Sequence, residues 1–273
     1  MARGLSRFTI TALTLGFAFL YLPILLLVIY SFNASKLVTV WGGFSLEWYR
    51  VAFANTALLE SAWVTLRVAA LSSTLALILG TMAGVVLTRI ARFPGRTLFA
   101  GMISAPLVMP EVILGLSLLL LFVSMNAPRG FWTIVIAHTT FCMCYVTVVV
   151  QSRLVTFDRS LEEAAMDLGA KPHQVFYLVT LPMIAQSMLS AWLLTFTLSL
   201  DDVVLSAFLS GPGATTMPLV IFSRARLGLN PSVNAVATII VLVVSVGVVL
   251  ASLAIARAER RRSQELAAAA RGG

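Results

Sequence analysis

The chain alternates between long apolar blocks and short polar connections. Six blocks stand out, at about residues 9–30, 62–88, 97–123, 131–151, 184–208 and 233–256. A helix needs about 20 consecutive apolar residues to cross a bilayer core, and every block qualifies. The pattern therefore predicts six membrane-spanning helices. Arg3 and Arg7 precede the first block, as they would in a secretory leader. That block is longer than a leader's apolar region and lacks a small-residue cleavage site, so it reads as an uncleaved first span.

One connection, residues 152–183, carries a shorter hydrophobic rhythm. Leu161, Ala164, Ala165 and Leu168 fall at i, i+3, i+4 and i+7, which is one face of a helix. Ser160 followed three residues later by Glu163 has the pattern of a capping box. Asp158 and Glu162 add negative charge at the end where the helix dipole favours it. Gly169 comes where a left-handed residue closes a helix. Pro172 suits the first turn of a second helix, where its missing amide hydrogen would be unpaired anyway. The connection is predicted to be a helix, a tight turn and a second helix leading through Leu181-Pro182 into the fifth span. Two helical turns are not stable alone in water. The short helix must therefore pack on its own bundle or in a groove of another protein.

Composition and charge sharpen this picture. Apolar residues make up 59% of the chain and charged residues 11%, against roughly 45–50% and about 25% in ordinary globular domains. The net charge of +8 would suggest nucleic acid in a soluble protein, but here it is sorted by loop. Thirteen Arg and Lys residues, among them Arg3, Arg7, Arg89, Arg153, Lys171 and Arg271, lie in the N-terminus, residues 89–96, residues 152–183 and the tail after residue 256. Five, Lys36, Arg50, Arg129, Arg224 and Arg226, lie in the opposite connections. The positive-inside rule then puts both termini in the cytoplasm. No nucleic-acid role follows. Cys142 and Cys144 sit two apart, about 200° from each other on a helix, which supports neither a disulfide nor a metal site. In the outward connection 31–61, Trp41, Trp48 and Tyr49 beside Gly42 and Gly43 suggest a short amphipathic segment at the lipid–water interface, or a docking surface for an extracytoplasmic partner.

Ionisable groups inside spans are expensive, so each is a site hypothesis. Glu111 lies about 13 residues into the third span, roughly 20 Å along a straight helix. Asp201 and Asp202 lie about 17–18 residues into the fifth, roughly 26 Å from the same side. Three carboxylates at comparable depth, with few cations to pair, make a path attractive to ammonium groups. Arg67 is one available partner. A plainer reading has an Asp capping a helix break; adjacent residues point about 100° apart, so Asp201 and Asp202 do not share one role. Pro106 and Pro110 remove backbone donors and predict a bend in the third span. Gly80-x-x-x-Gly84 predicts close helix packing. His138 is read as a hydrogen-bonded packing residue rather than a proton relay.

The order Glu162-Glu163-Ala164-Ala165, then Gly169, then Leu181-Pro182 ahead of a span resembles the coupling loop of type I ABC-importer permease subunits. Ser31-Phe32-Asn33, Trp41-Gly42-Gly43-Phe44-Ser45, Ala105-Pro106-Leu107-Val108-Met109-Pro110-Glu111, Ser199-Leu200-Asp201-Asp202 and Ser210-Gly211-Pro212-Gly213-Ala214-Thr215-Thr216 look like the polyamine branch of that family. The resemblance covers nearly the whole chain.

It implies an all-α membrane protein of six transmembrane helices with a cytoplasmic coupling helix-turn-helix, one permease domain over residues 1–273. It implies a non-enzymatic translocation subunit of a bacterial inner membrane that imports polyamines, putrescine first among them. The partners it implies are a second, homologous permease forming a heterodimer, two ATPase subunits and an extracytoplasmic polyamine-binding protein. This chain would bind no cofactor; ATP and Mg would belong to the ATPase. The lack of a Gly-x-x-x-x-Gly-Lys-Ser/Thr loop agrees with that division. Glu162, Glu163, Ala164, Ala165, Gly169, Leu181 and Pro182 would couple to the ATPase; Glu111, Asp201 and Asp202 would line the substrate path. Three alternatives stay open: a permease for another solute such as sulfate, iron or an amino acid, a self-contained channel, and an intramembrane enzyme. An anion path should favour basic residues, and neither His-Glu-x-x-His nor Gly-x-Ser-x-Gly occurs.

Overall fold

The computed structural model describes residues 6–37, 40–90, 92–227 and 231–269; Arg3 and Arg271, used above for orientation, lie outside them. The helices in chain order are α1 (Arg7–Ser31), α2 (Glu47–Ala54), α3 (Thr56–Arg89), α4 (Arg96–Val108), α5 (Glu111–Ser124), α6 (Phe131–Val155), α7 (Ser160–Asp167), α8 (Pro172–Val175), α9 (Leu181–Leu200), α10 (Val204–Leu209), α11 (Met217–Leu227) and α12 (Pro231–Ala269), with a π-helical turn at Phe176–Thr180 between α8 and α9. Among the described residues, extended pairing is confined to an antiparallel bridge between Asn33 and Phe44. The fold is all-α.

Among the described residues, five helices are long and apolar enough to cross a membrane, and α4 with α5 makes a sixth if that pair counts as one span. The pair is bent by 116°, so the third apolar block is not the straight helix assumed in estimating the depth of Glu111. Its cause lies in the sequence. Proline disfavours helical geometry in the residue before it, and Met109, ahead of Pro110, is extended at φ −74° and ψ 138°. Glu111 therefore opens a new helix rather than sitting within one.

The fifth block is also redrawn. Its helix begins at Pro172 rather than near residue 184 and runs to Leu200. Pro182 gives no amide hydrogen to the carbonyl four residues back and crowds that turn; the wide turn at Phe176–Thr180 lets the helix pass. The expected span to residue 208 breaks after Leu200, and α10 follows as a separate short helix.

The chain divides into two compact units, Met1–Leu58 with Ser223–Gly273, and Leu59–Phe222. In the first, α1 and α2 pack on α12. The turn after α1 winds around buried Asn33, whose Oδ1 accepts from the amides of Ser35 (3.1 Å) and Gly42 (2.7 Å) while Nδ2 donates to the carbonyl of Val40 (2.8 Å). One side chain thus satisfies backbone groups that a loop would leave unpaired.

The second unit is organised on α6. A helix apolar on all sides belongs in an interior, and Ile134, Ala137, Cys142, Val146 and Val150 of α6 are all fully buried. In lipid, apolar burial alone drives little association, so close packing and interhelical hydrogen bonds must hold the bundle. Gly80 supplies the first: a Cβ there would stand 2.6 Å from Cβ of Val146 and 2.7 Å from the carbonyl of Met143. Thr147 supplies the second, its hydroxyl donating to the carbonyl of Gly80 at 3.2 Å. The small-residue motif is a packing device, as expected.

Candidate functional site

The polar connection folds as a hairpin of α7 and α8. The capping box does not form. Ser160 is the first helical residue, and its amide donates to Oδ1 of Asp158 at 3.0 Å. That hydrogen bond holds the Asp158 carboxyl below its ordinary range. Asp158 thus does the capping that Ser160 was expected to do, because the helix starts one residue early. The closing turn matches expectation. Gly169 has φ +87°; its amide donates to Met166 (2.9 Å) and that of Ala170 to Ala165 (3.1 Å), two bonds that satisfy the last free carbonyls. Pro172 opens α8, and the Lys171 amide donates to Oε1 of Gln174 at 2.8 Å.

Glu162 holds this hairpin to the membrane helices. Its Oε1 accepts from Nη2 of Arg89 at 2.9 Å and from the hydroxyl of Thr180 at 2.6 Å. Arg89 ends α3, and Thr180 ends the π-helical turn below α9. The guanidinium of Arg89 also lies 5.6 Å from the ring centroid of Phe157, in the stretch between α6 and α7. Both ends of the ion pair are shielded, with side chains 16% and 12% exposed.

The expected apolar face points the other way. Leu161 is 47% exposed, Leu168 is 90% exposed, and no residue of α7 is buried. Glu163 and Ala164 are exposed as well, whereas Ala165 is half-buried. α7 is thus tethered through a polar contact while Leu161, Ala164 and Leu168 stay uncovered. Leu181 and Pro182 form the first turn of α9.

A second constellation lies at the break after α9. His138 of α6, 1% exposed, has both ring nitrogens engaged. Nδ1 is 2.7 Å from Oγ of Ser199, and Nε2 is 3.1 Å from Oδ2 of Asp202. Ser199 in turn lies 3.0 Å from Oγ of Ser72 on α3. A carboxylate only accepts, so Nε2–H donates to Asp202. Asp202 further accepts the amides of Leu205 (3.2 Å) and Ser206 (2.8 Å), which caps α10. The plainer reading of one acid as a helix cap is therefore correct for Asp202, and His138 has the packing role expected of it.

Asp201 is exposed and closes α9. Glu111 is half-buried at the start of α5, which packs on α10. The three acids expected to share a path thus stand at two helix breaks. Arg67 does not join them: its guanidinium lies over the rings of Trp63 (5.6 Å) and Phe131 (5.3 Å).

Sequence reading missed Arg89, Thr180, Ser72 and Ser199 as members of these sites. Arg89 had been read only as a topological charge. The two serines were the fainter signal, as hydroxyls placed within apolar blocks.

Residues 76–264 match the family described as binding-protein-dependent transport system inner membrane component. The chain is 54% identical over 273 residues to the putrescine transport system permease protein PotI of Escherichia coli (strain K12), covering 98% of this chain and 97% of that protein. It is 42% identical over 237 residues to the spermidine/putrescine transport system permease protein PotC of Haemophilus influenzae, covering 87% and 92%. Among solved structures it resembles a chain of a bacterial ABC transporter involved in import of the acidic polysaccharide alginate, with TM-score 0.70, 16% identity and coverage of 92% and 99%. It also resembles a chain of the inward-facing MetNI methionine ABC transporter, with TM-score 0.61, 20% identity and coverage of 75% and 95%. Identities this low speak for the fold alone.

Proposed function

The chain belongs to the family of binding-protein-dependent transport system inner membrane components, and from that premise we propose that it imports polyamines, putrescine first among them. The observation that carries the substrate is the 54% identity, over nearly both full lengths, with a putrescine permease. The chemistry agrees: an organic dication suits a path edged by carboxylates, and Glu111 and Asp201 are in no ion pair among the described residues. Of the three candidate acids, Asp202 is committed to His138 and to the cap of α10. Direct contact with cargo therefore falls to Glu111 and Asp201.

In this reading both units work as one permease domain, with both termini in the cytoplasm of a bacterial cell. A second, homologous permease completes the path, and an extracytoplasmic polyamine-binding protein delivers cargo. ATP and Mg are bound by two ATPase subunits, which grip the hairpins formed by Glu162, Glu163, Ala164, Ala165 and Gly169 ahead of Leu181 and Pro182. A ligand shifts a conformational equilibrium only by its differential affinity for the two states. Here the ATPase pair is that ligand, and the uncovered apolar side of α7 is the surface its two states hold differently.

The complete complex, reconstituted in lipid, tests this reading. Putrescine with its binding protein should stimulate ATP hydrolysis, and sulfate should not. Equal stimulation by sulfate, or transport by this chain without an ATPase, contradicts it.

A further inference from the structure

The carboxylate of Glu162 is engaged inside its own chain. Three segments of the second unit converge on that group. Arg89 brings the end of α3, Thr180 brings the turn that feeds α9, and Phe157 backs the Arg89 guanidinium from the end of α6. The two donors reach the same oxygen, at 2.9 Å and 2.6 Å, from residues 73 and 18 positions away in the chain. Arg96, across the turn that follows α3, donates to the carbonyl of Leu87 at 2.9 Å and so fixes that end of the helix. α7 itself has no buried residue, and Leu161 and Leu168 are exposed.

We propose that Arg89 and Thr180 are the positioning residues through which hairpin movement is delivered to the second and fifth spans together. This rests on the reading that an ATPase moves the hairpin. A push on α7 displaces Glu162. Because a charge-assisted pair shielded from water is stiffer and stronger than a neutral contact, the displacement pulls Arg89, and with it α3. Thr180 transmits the same motion to α9 through the shared oxygen. Phe157 keeps the guanidinium from swinging out to water instead. The clamp thus links one cytoplasmic input to two spans that also meet through Ser72 and Ser199 near the carboxylates.

The test uses the complete reconstituted complex and reads two quantities: ATPase retained on purification, and putrescine transported per ATP hydrolysed. Arg89→Glu should keep the ATPase bound yet lower transport per ATP by about tenfold, within the usual range of coupling between sites. Arg89→Glu with Glu162→Arg should restore most of it, because the reversed pair spans the same gap. Thr180→Val, which changes no charge, should lower the ratio several-fold and covers the case in which the charge reversal prevents assembly. Wild-type ratios in both Arg89→Glu and Thr180→Val, or a double reversal no better than its parents, overturn the proposal. Failure of the docking reading shows differently, as no ATPase retained by the unmodified complex.

Discussion

Nε2 of His138 lies 3.1 Å from Oδ2 of Asp202, a contact between a span that runs unbroken and one that breaks. It joins α6 to the chain between α9 and α10. The carboxylate that caps α10 is fixed by an imidazole whose other nitrogen is fixed by Ser199, and Ser199 by Ser72. Ser72, Ser199 and His138 are buried, and Asp202 is half-buried. Removing the middle link leaves Ser199 and Asp202 each without its imidazole partner. We expect His138→Ala to cost about 1–3 kcal/mol, the usual penalty for an unsatisfied buried group, read as a lower unfolding midpoint in detergent. His138→Gln should recover part of the loss. An unchanged midpoint in His138→Ala would show that the network carries no stability.

The acids should separate by kinetics. Glu111→Gln and Asp201→Asn are expected to raise the putrescine concentration needed for half-maximal transport, with the complex still assembled. Asp202→Asn should instead lower stability, because its carboxylate caps α10 and pairs with His138. Titration of transport and melting of the three variants checks this; an intact Asp202→Asn fold with altered substrate dependence would reverse the assignment.

Two glycines should differ although both lie on one face of α3. A Cβ at Gly80 would meet a backbone carbonyl at 2.7 Å, which cannot move aside without shifting α6. At Gly84 the nearest atom is a side-chain methyl of Val150 at 3.0 Å, and the nearest backbone carbonyl, of Thr147, stands off at 3.4 Å. Gly80→Ala should therefore cost about 1–3 kcal/mol, as overpacking does, and Gly84→Ala less. Folded yield and melting of the two variants decide the order.

The cap of α7 gives a pH dependence with a definite sign. Asp158 is held below its ordinary range by the amide of Ser160. A depressed carboxyl contributes stability above its unfolded value, about pH 4, and that contribution is lost as pH falls through the lower folded value. The first turn of α7 should be equally protected from pH 5 to pH 8. Hydrogen exchange of the Ser160 amide should quicken in Asp158→Ala and change little in Asp158→Asn; equal rates in all three would rule out this cap.

Much of the scaffold was legible because lipid imposes simple rules. Length and apolarity located the spans, and the prolines at residues 106 and 110 located the bend. Its size, 116°, was not legible, because a sequence shows that a hydrogen bond is missing but not where the freed chain turns. The break at Asp201 left only a faint mark: apolar residues continue on both sides, and the one sign of it is an Asp pair, of which Asp202 reaches forward to cap α10. Gly169 was readable because a left-handed turn has few other solutions. Ser160 was misassigned because Asp158 competes for the same role two residues earlier. The Glu162–Arg89 pair was out of reach, since 73 residues separate its members and both had local explanations that sufficed.

A nucleotide-driven partner should grip the uncovered side of the hairpin. Leu168, 90% exposed in this chain, is the place to measure it, and both native cysteines are buried. Maleimide labelling of Leu168→Cys should be fast in the permease alone and strongly slowed when the ATPase is bound, with a further change on adding ATP. Equal labelling with and without the ATPase would contradict the account.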